Sequence, residues 1–177
     1  LPTLLQDAGY NTYMAGKWHL GDRPQSQPVA RGFTRSFALM ESGADNWEAK
    51  HYLPGGSATW IEDGKPVDLP EGFYSSFTYA DKLIDYIDSG RTDGKPFFGY
   101  LAFQAVHAPH QVPEDYIQRY ADIYDQGWDA IRQQRYQRQL ASGLLPDTGE
   151  NAVTDDWGTF YARRHIDWAS LSDEEKA

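Results

Sequence analysis

The chain has 177 residues, a formal net charge of −10 and 15% aromatic residues. That is length and apolar material enough for one sizeable core, and it argues against wholesale disorder. The acidic balance disfavours nonspecific nucleic-acid or anionic-membrane binding. No apolar stretch approaches a membrane span, no secretory segment is visible in a chain that begins without Met, and zero cysteines exclude disulfides and thiolate metal sites.

In chain order, Leu1, Leu4, Leu5 and Ala8 recur at helical spacing, and Gly9 follows where a left-handed helix stop falls. Tyr10–Ala15 reads as a short strand, and Lys17 and His19 come just behind a permissive Gly16. Residues two apart in extended chain share a side, so an ammonium and an imidazole can converge there on one small oxyanion. Ligands of open α/β sheets bind beyond the carboxyl ends of the strands. On spacing alone, two solvated side chains at a strand–loop junction are the commoner outcome. Residues 1–35 carry a local balance of +2 and the rest −12, which suits anion capture, although ordinary surface scatter explains it better on charge alone.

Residues 22–77 form a long, turn-rich excursion, read as an insertion or lid region. Within Thr59–Val67 the step Asp63-Gly64 favours a hairpin turn. Trp47, His51, Tyr52 and Trp60 either line an entrance for an aromatic or sugar substrate or pack the excursion onto the body. Packing is favoured, because buried aromatics are ordinary core material, and His51 receives no catalytic role. Thr78 predicts an N-cap for a helix carrying Tyr79, Leu83, Ile84 and Ile87. Phe97–Ala105 is a nearly continuous apolar run, as expected for a strand covered on both faces, and it delivers His107 to a strand exit.

Pro113 can open a helix over Glu114–Tyr120, and residues 128–142 also look helical. Arg132, Arg135 and Arg138 read as a solvated face rather than a site for an acidic partner. Gly143–Ser170 is loosely patterned, and Asp155-Asp156 lacks the further hard ligands a calcium or magnesium site needs. Ser172 and Glu175 have capping-box spacing with only two residues following. With Leu1 starting inside a helical pattern, the expectation is an internal fragment of a larger protein, truncated at both ends.

Gly9–His19, GYNTYMAGKWH, resembles the second of the two sequence signatures of the type I (formylglycine-dependent) sulfatases, of arylsulfatase-like type, in the alkaline-phosphatase-like superfamily. The matching elements are Gly9, Tyr10, Thr12, Ala15, Gly16, Lys17, Trp18 and His19. Pro96–Pro113 resembles the sulfatase strand whose terminal histidine reaches the substrate sulfate; His107 matches that histidine, and His110 stands where an apolar residue is expected. The resemblance implies an α/β, alkaline-phosphatase-like α/β/α sandwich with a mostly parallel sheet, of which residues 1–177 are a partial catalytic domain.

It also implies a sulfuric ester hydrolase acting on a small sulfated substrate, an aryl sulfate or sulfated glycan. The implied nucleophile is a formylglycine made from Cys or Ser in a C/S-x-P-x-R motif, held with a divalent cation, usually calcium (Ca2+). No C/S-x-P-x-R motif occurs here, so nucleophile and metal ligands are expected outside this window and the chain alone is expected to be inactive. By match, Lys17 would neutralise the sulfate, His19 would accept a proton during sulfate release, and His107 would assist the leaving group. Imidazole suits proton transfer near neutrality, its ordinary pKa being about 6.5. The alternatives are a phosphoester or phosphonate hydrolase of the same superfamily and a non-catalytic anion-binding domain.

Overall fold

Helix α1 (Pro2–Asp7) starts at a proline, whose missing amide hydrogen is no loss at the first helical position. It stops at Gly9 as expected, the Gly9 and Tyr10 amides donating to the Gln6 and Leu5 carbonyls at 3.0 Å each, the paired bonds of a Schellman end. Strand β1 (Asn11–Lys17) follows, then β2 (Arg35–Leu39), β3 (Trp60–Glu62) and β4 (Lys65–Val67). Helix α2 (Ser75–Gly90), strand β5 (Phe97–Ala102) and helices α3 (Glu114–Gln118), α4 (Trp128–Ala141) and α5 (Asp173–Lys176) complete the order. The computed structural model describes residues 1–147 and 166–176; Asp155-Asp156 lies outside them. Two units are distinguished, Leu1–Val112 and Pro113–Ala177.

In the first unit the sheet order is β4-β3-β2-β1-β5. β2 and β5 flank β1 in parallel, while β3 pairs antiparallel with β2 and with β4. The sheet is therefore mixed, with only β3 running against the rest. The β3–β4 turn falls on Asp63 and Gly64, both at positive φ (+50° and +82°), the backbone a two-residue hairpin requires. β2 had no sequence signal of its own. It is a five-residue stretch buried on both faces, so the alternation that marks a half-exposed strand is absent. With β2, β3 and β4 inside it, the 22–77 segment supplies sheet as well as loop.

Alternation does decide which side chains face where. Tyr13, Ala15, Phe37 and Leu39 point to the face covered by Tyr79, Leu83 and Tyr86 of α2, with Trp60 and Phe73 in the same cluster. Met14, Ala38 and Ile61 point to the other, against Trp18, Phe33 and Met40. Each large apolar side chain so buried contributes about 1.5–3 kcal/mol. Trp60 Nε1 donates to the Tyr79 hydroxyl at 3.2 Å, so the polar tips of this aromatic pair are satisfied inside the core. Burial pushes the Tyr79 phenol well above its ordinary range.

Two expectations are revised. Helix α2 begins a turn earlier than Thr78, with Tyr74 at its N-cap. The Asn46 carbonyl accepts from the Ser75 amide at 2.8 Å, so a distant residue does the work sought in a local cap. The run from Phe97 does form a strand, but at the sheet edge, leaving Phe97 53% and Tyr100 44% exposed. Cover of its two faces comes from packed helices and loops rather than from a second strand, and among the described residues Phe97 and Tyr100 receive little of it.

In the second unit, α3 follows directly on Pro113. Trp128 of α4 meets Trp168 edge to face at 5.0 Å, and Trp168 Nε1 donates to the Asp125 carbonyl at 3.1 Å. Arg135 and Arg138 are exposed and Arg132 is half-buried. The capping box is realised: the Ser172 amide donates to Glu175 Oε2 at 2.9 Å and the Glu175 amide to Ser172 Oγ at 3.3 Å.

Candidate active site

Three parallel strands end at one edge of the sheet. Gly16 is paired with Ala102 and Lys17 with Leu39, so β1, β5 and β2 release their loops side by side. Gly16 has φ +122°, and a Cβ there would run into the Ala102 carbonyl. Only glycine allows this approach of two backbones at the mouth. Trp18 is pinned just beyond, its amide donating to the Leu39 carbonyl at 2.8 Å and its Nε1 to the Ser26 carbonyl at 2.9 Å. Lys17 thus projects from a backbone held on both sides.

Lys17 is half-buried and lines a cleft of about 460 Å³ together with Trp18, Tyr100, Ala102, Phe103 and Ala105. Among the described residues it makes no ion pair or hydrogen bond. A cation left without a partner beside apolar walls attracts an anion, since its field is poorly screened there.

His19 is exposed and lies outside that lining. Extended backbone ends at Lys17 and His19 adopts φ +51°, so the alternation argument that paired it with Lys17 stops one residue short. His107 is also exposed, in the turn after β5, its amide donating to the Gln104 carbonyl at 2.9 Å. Its Nδ1 lies 2.7 Å from the Ala108 carbonyl. A carbonyl only accepts, so this contact is a hydrogen bond when the proton sits on Nδ1, which leaves Nε2 for other chemistry.

The His107 ring meets Tyr52 edge to face at 5.2 Å, and Tyr52 packs against His51 at a tilt, 4.7 Å between centroids. Gly43 lies beneath: a Cβ there would come 3.1 Å from the Tyr52 ring and 3.7 Å from His107 Nδ1. Of the four aromatics weighed in the sequence, Trp60 is core, Trp47 packs on Tyr74 at 5.3 Å, and Tyr52 with His51 adjoins His107. Lys17, His19 and His107 therefore share the carboxyl edge of the sheet, on the exits of adjacent strands. Lys17 enters the cleft, His107 stands by Tyr52, and no direct bond joins any two of the three among the described residues.

Sequence reasoning missed Tyr52 as a neighbour of His107, and it missed Asn46, Gln104 and Gln111, whose amides bind one another around the same loop. Two glutamines bracketing a strand-exit histidine were the available signal for the loop; nothing local marks Asn46. Beside them, burial pushes the Asp45 carboxyl up, but hydrogen bonds from Gln111, Trp47 and Glu48 outweigh it and hold Asp45 below the usual carboxylate range.

A sulfatase family model matches residues 1–154. The chain belongs to the sulfatase family. An uncharacterized sulfatase of Schizosaccharomyces pombe is 39% identical over 99% of this chain and 32% of its own length. An arylsulfatase of Klebsiella aerogenes is 40% identical over 80% of this chain and 31% of its own. The chain thus spans about a third of the length of these relatives. Among solved structures, Ps i-CgsB in complex with k-i-k-neocarrahexaose superposes with a TM-score of 0.59 at 28% identity, over 69% of this chain and 30% of that one. The fold is the α/β, alkaline-phosphatase-like arrangement of the family, its mixed five-stranded sheet flanked by helices. The sulfatase family implies a divalent metal and a formylglycine. Among the described residues no group of three or more His, Cys, Asp or Glu could hold a metal ion.

Proposed function

We propose that the protein carrying this chain hydrolyses sulfate esters, with Lys17, His19 and His107 forming the sulfate-facing part of its active site. The half-buried Lys17, its ammonium without a partner among the described residues, in a cleft at the carboxyl edge carries this reading, supported by relatives named as sulfatases. The formylglycine supplies the nucleophile for sulfur and the cation, which we take to be Ca2+, completes the centre; their residues lie outside this chain. We further propose that residues 1–177 are one part of the catalytic domain, with the loops of 22–77 flanking the entrance.

Within the chain, the Lys17 ammonium offsets negative charge on the sulfate as a compact point charge. His107 acts as the imidazolium: with Nδ1–H donating to the Ala108 carbonyl, its Nε2–H gives its proton to the bridging ester oxygen as the alcohol departs, leaving the neutral ring protonated on Nδ1. His19 serves as the base that takes up a proton when sulfate leaves. Tyr52 beside His107 offers an aromatic flank to the alcohol part of the substrate. An aryl sulfate is favoured by the arylsulfatase relative, and a sulfated glycan by the oligosaccharide complex of Ps i-CgsB.

The test uses the complete polypeptide with 4-nitrophenyl sulfate, 4-nitrophenyl phosphate and a sulfated oligosaccharide. Lys17→Ala should lower kcat/KM for the sulfate ester by roughly 10²–10³-fold with an unchanged circular dichroism spectrum. Undiminished turnover would remove Lys17 from the site. Turnover of the phosphate ester alone would transfer the reading to a phosphoester hydrolase, and sulfate binding without turnover would leave an anion receptor. The 177-residue polypeptide by itself should show no turnover with or without Ca2+; detectable metal-dependent hydrolysis would refute that.

A further inference from the structure

Asn46 is 3% exposed, yet every polar group it owns is engaged. Its Oδ1 accepts from Ser75 Oγ at 2.5 Å and Gln104 Nε2 at 2.7 Å. Its Nδ2 donates to the Pro109 carbonyl at 3.2 Å and to Gln111 Oε1 at 3.3 Å. Its main-chain amide donates to Gln111 Oε1 at 2.9 Å and its carbonyl accepts from the Ser75 amide at 2.8 Å. Gln104 Oε1 in turn accepts from the Ala44 amide at 3.3 Å, and Gln111 Nε2 donates to Asp45 Oδ2 at 2.5 Å.

The amide orientations in this cluster are mutually determined. The Pro109 carbonyl only accepts, so the Asn46 nitrogen must face it and the Asn46 oxygen must face Gln104. Gln104 must then present its nitrogen, leaving its oxygen for the Ala44 amide, which only donates. One buried side chain thereby grips both ends of the 104–111 loop and ties it to the first residue of α2. His107 stands between those ends, exposed, its amide on the Gln104 carbonyl and its ring against the Ala108 carbonyl and Tyr52. Apolar packing would exclude water at the loop's base equally well; a fully satisfied amide network also selects one loop conformation.

We infer that Asn46, acting through Gln104 and Gln111, is a positioning residue for His107, holding the loop so that Nδ1 keeps its bond to Ala108 and Nε2 faces the leaving oxygen. This rests on the sulfate-ester reading for its catalytic consequence, and on the loop geometry alone for its effect on the imidazole. The complete polypeptide is compared as Asn46→Ala, the milder Gln111→Ala and Lys17→Ala. The readouts are ¹⁵N imidazole NMR of His107 and the pH profile of kcat and KM for 4-nitrophenyl sulfate.

In the native protein, neutral His107 should carry its proton on Nδ1. In both loop variants the two tautomers should mix, and kcat should fall about 10-fold with KM within about twofold, because Lys17 is untouched. The inference is overturned if the His107 tautomer and kcat are unchanged in both loop variants while Lys17→Ala removes turnover; the sulfatase reading then stands without it. If Lys17→Ala is silent, Lys17 leaves the site and the NMR arm decides, mixed tautomers sustaining the inference and a single unchanged tautomer ending it. Should Asn46→Ala fail to fold, Gln111→Ala, at the half-buried end of the loop, decides between the same two outcomes.

Discussion

Gly16 and Lys17 are neighbours with opposite constraints. Gly16 has φ +122° and the Ala102 carbonyl where a side chain would start, so Gly16→Ala meets both backbone strain and a main-chain collision. We predict a loss of at least about 2 kcal/mol, read from urea unfolding; a loss below about 0.5 kcal/mol, the range of an ordinary surface substitution, would show that β5 yields at its end. Lys17 has space and, among the described residues, no side-chain partner, so its replacement should cost activity and little stability. This contrast separates the legible residues from the hidden ones. Lys17, His19 and His107 were visible because chemistry-bearing side chains followed strand-like runs in family-like motifs. Asn46 was not visible, and Tyr52 was legible only as an entrance or packing residue, because each contacts a segment far along the chain, and no local pattern records such a partner.

At the scale of elements, the β3–β4 hairpin shows how local and distant signals divide. Asp63-Gly64 announced the turn, and both residues do adopt positive φ. Asp63 does more than turn the chain: its Oδ1 accepts from the Ser36 amide at 2.8 Å and its Oδ2 from Arg35 Nε at 2.7 Å. Asp63→Ala should therefore cost about 1–2 kcal/mol. Asp63→Asn, which keeps an acceptor and tolerates the left-handed backbone, should cost less than half of that. Equal thermal shifts for the two would mean that charge alone matters there. The start of α2 teaches the converse. Thr78 looked like a cap because short polar side chains often are, but Asn46 meets the first amide of the helix from another loop, and the helix extends a turn toward it.

For the whole molecule, the response to acid is expected to draw on Glu62 and Asp45, two partly buried carboxyl groups whose partners favour the charged form. Burial pushes Glu62 up, but hydrogen bonds from Lys82 and Tyr86 with the nearby charges of Lys82 and Arg35 outweigh it and leave Glu62 below its ordinary 4.5. Asp45 is likewise held below 3.8. A carboxyl depressed on folding adds stability above its unfolded pKa and surrenders it as pH falls through the folded value. The urea midpoint should therefore hold from about pH 7 down to about 5 and decline below that. Glu62→Gln should start less stable and decline less steeply, and parallel declines would exclude Glu62 as a source of the acid sensitivity.

From sequence alone came the family, the α/β class, the β1 and β5 strands, the Asp63-Gly64 hairpin and the three candidate cationic side chains. All of these are written in runs of neighbouring residues, where backbone preference and apolar spacing act over a few positions. The tertiary structure alone decided that β2 joins the sheet between β1 and β3, that β5 pairs with β1, and that Tyr52 and Asn46 stand around the His107 loop. Those outcomes depend on which surfaces meet after the chain has turned back on itself. Pairing between such distant segments is selected by the burial and hydrogen bonding of the assembled whole, and no short window of sequence carries that information.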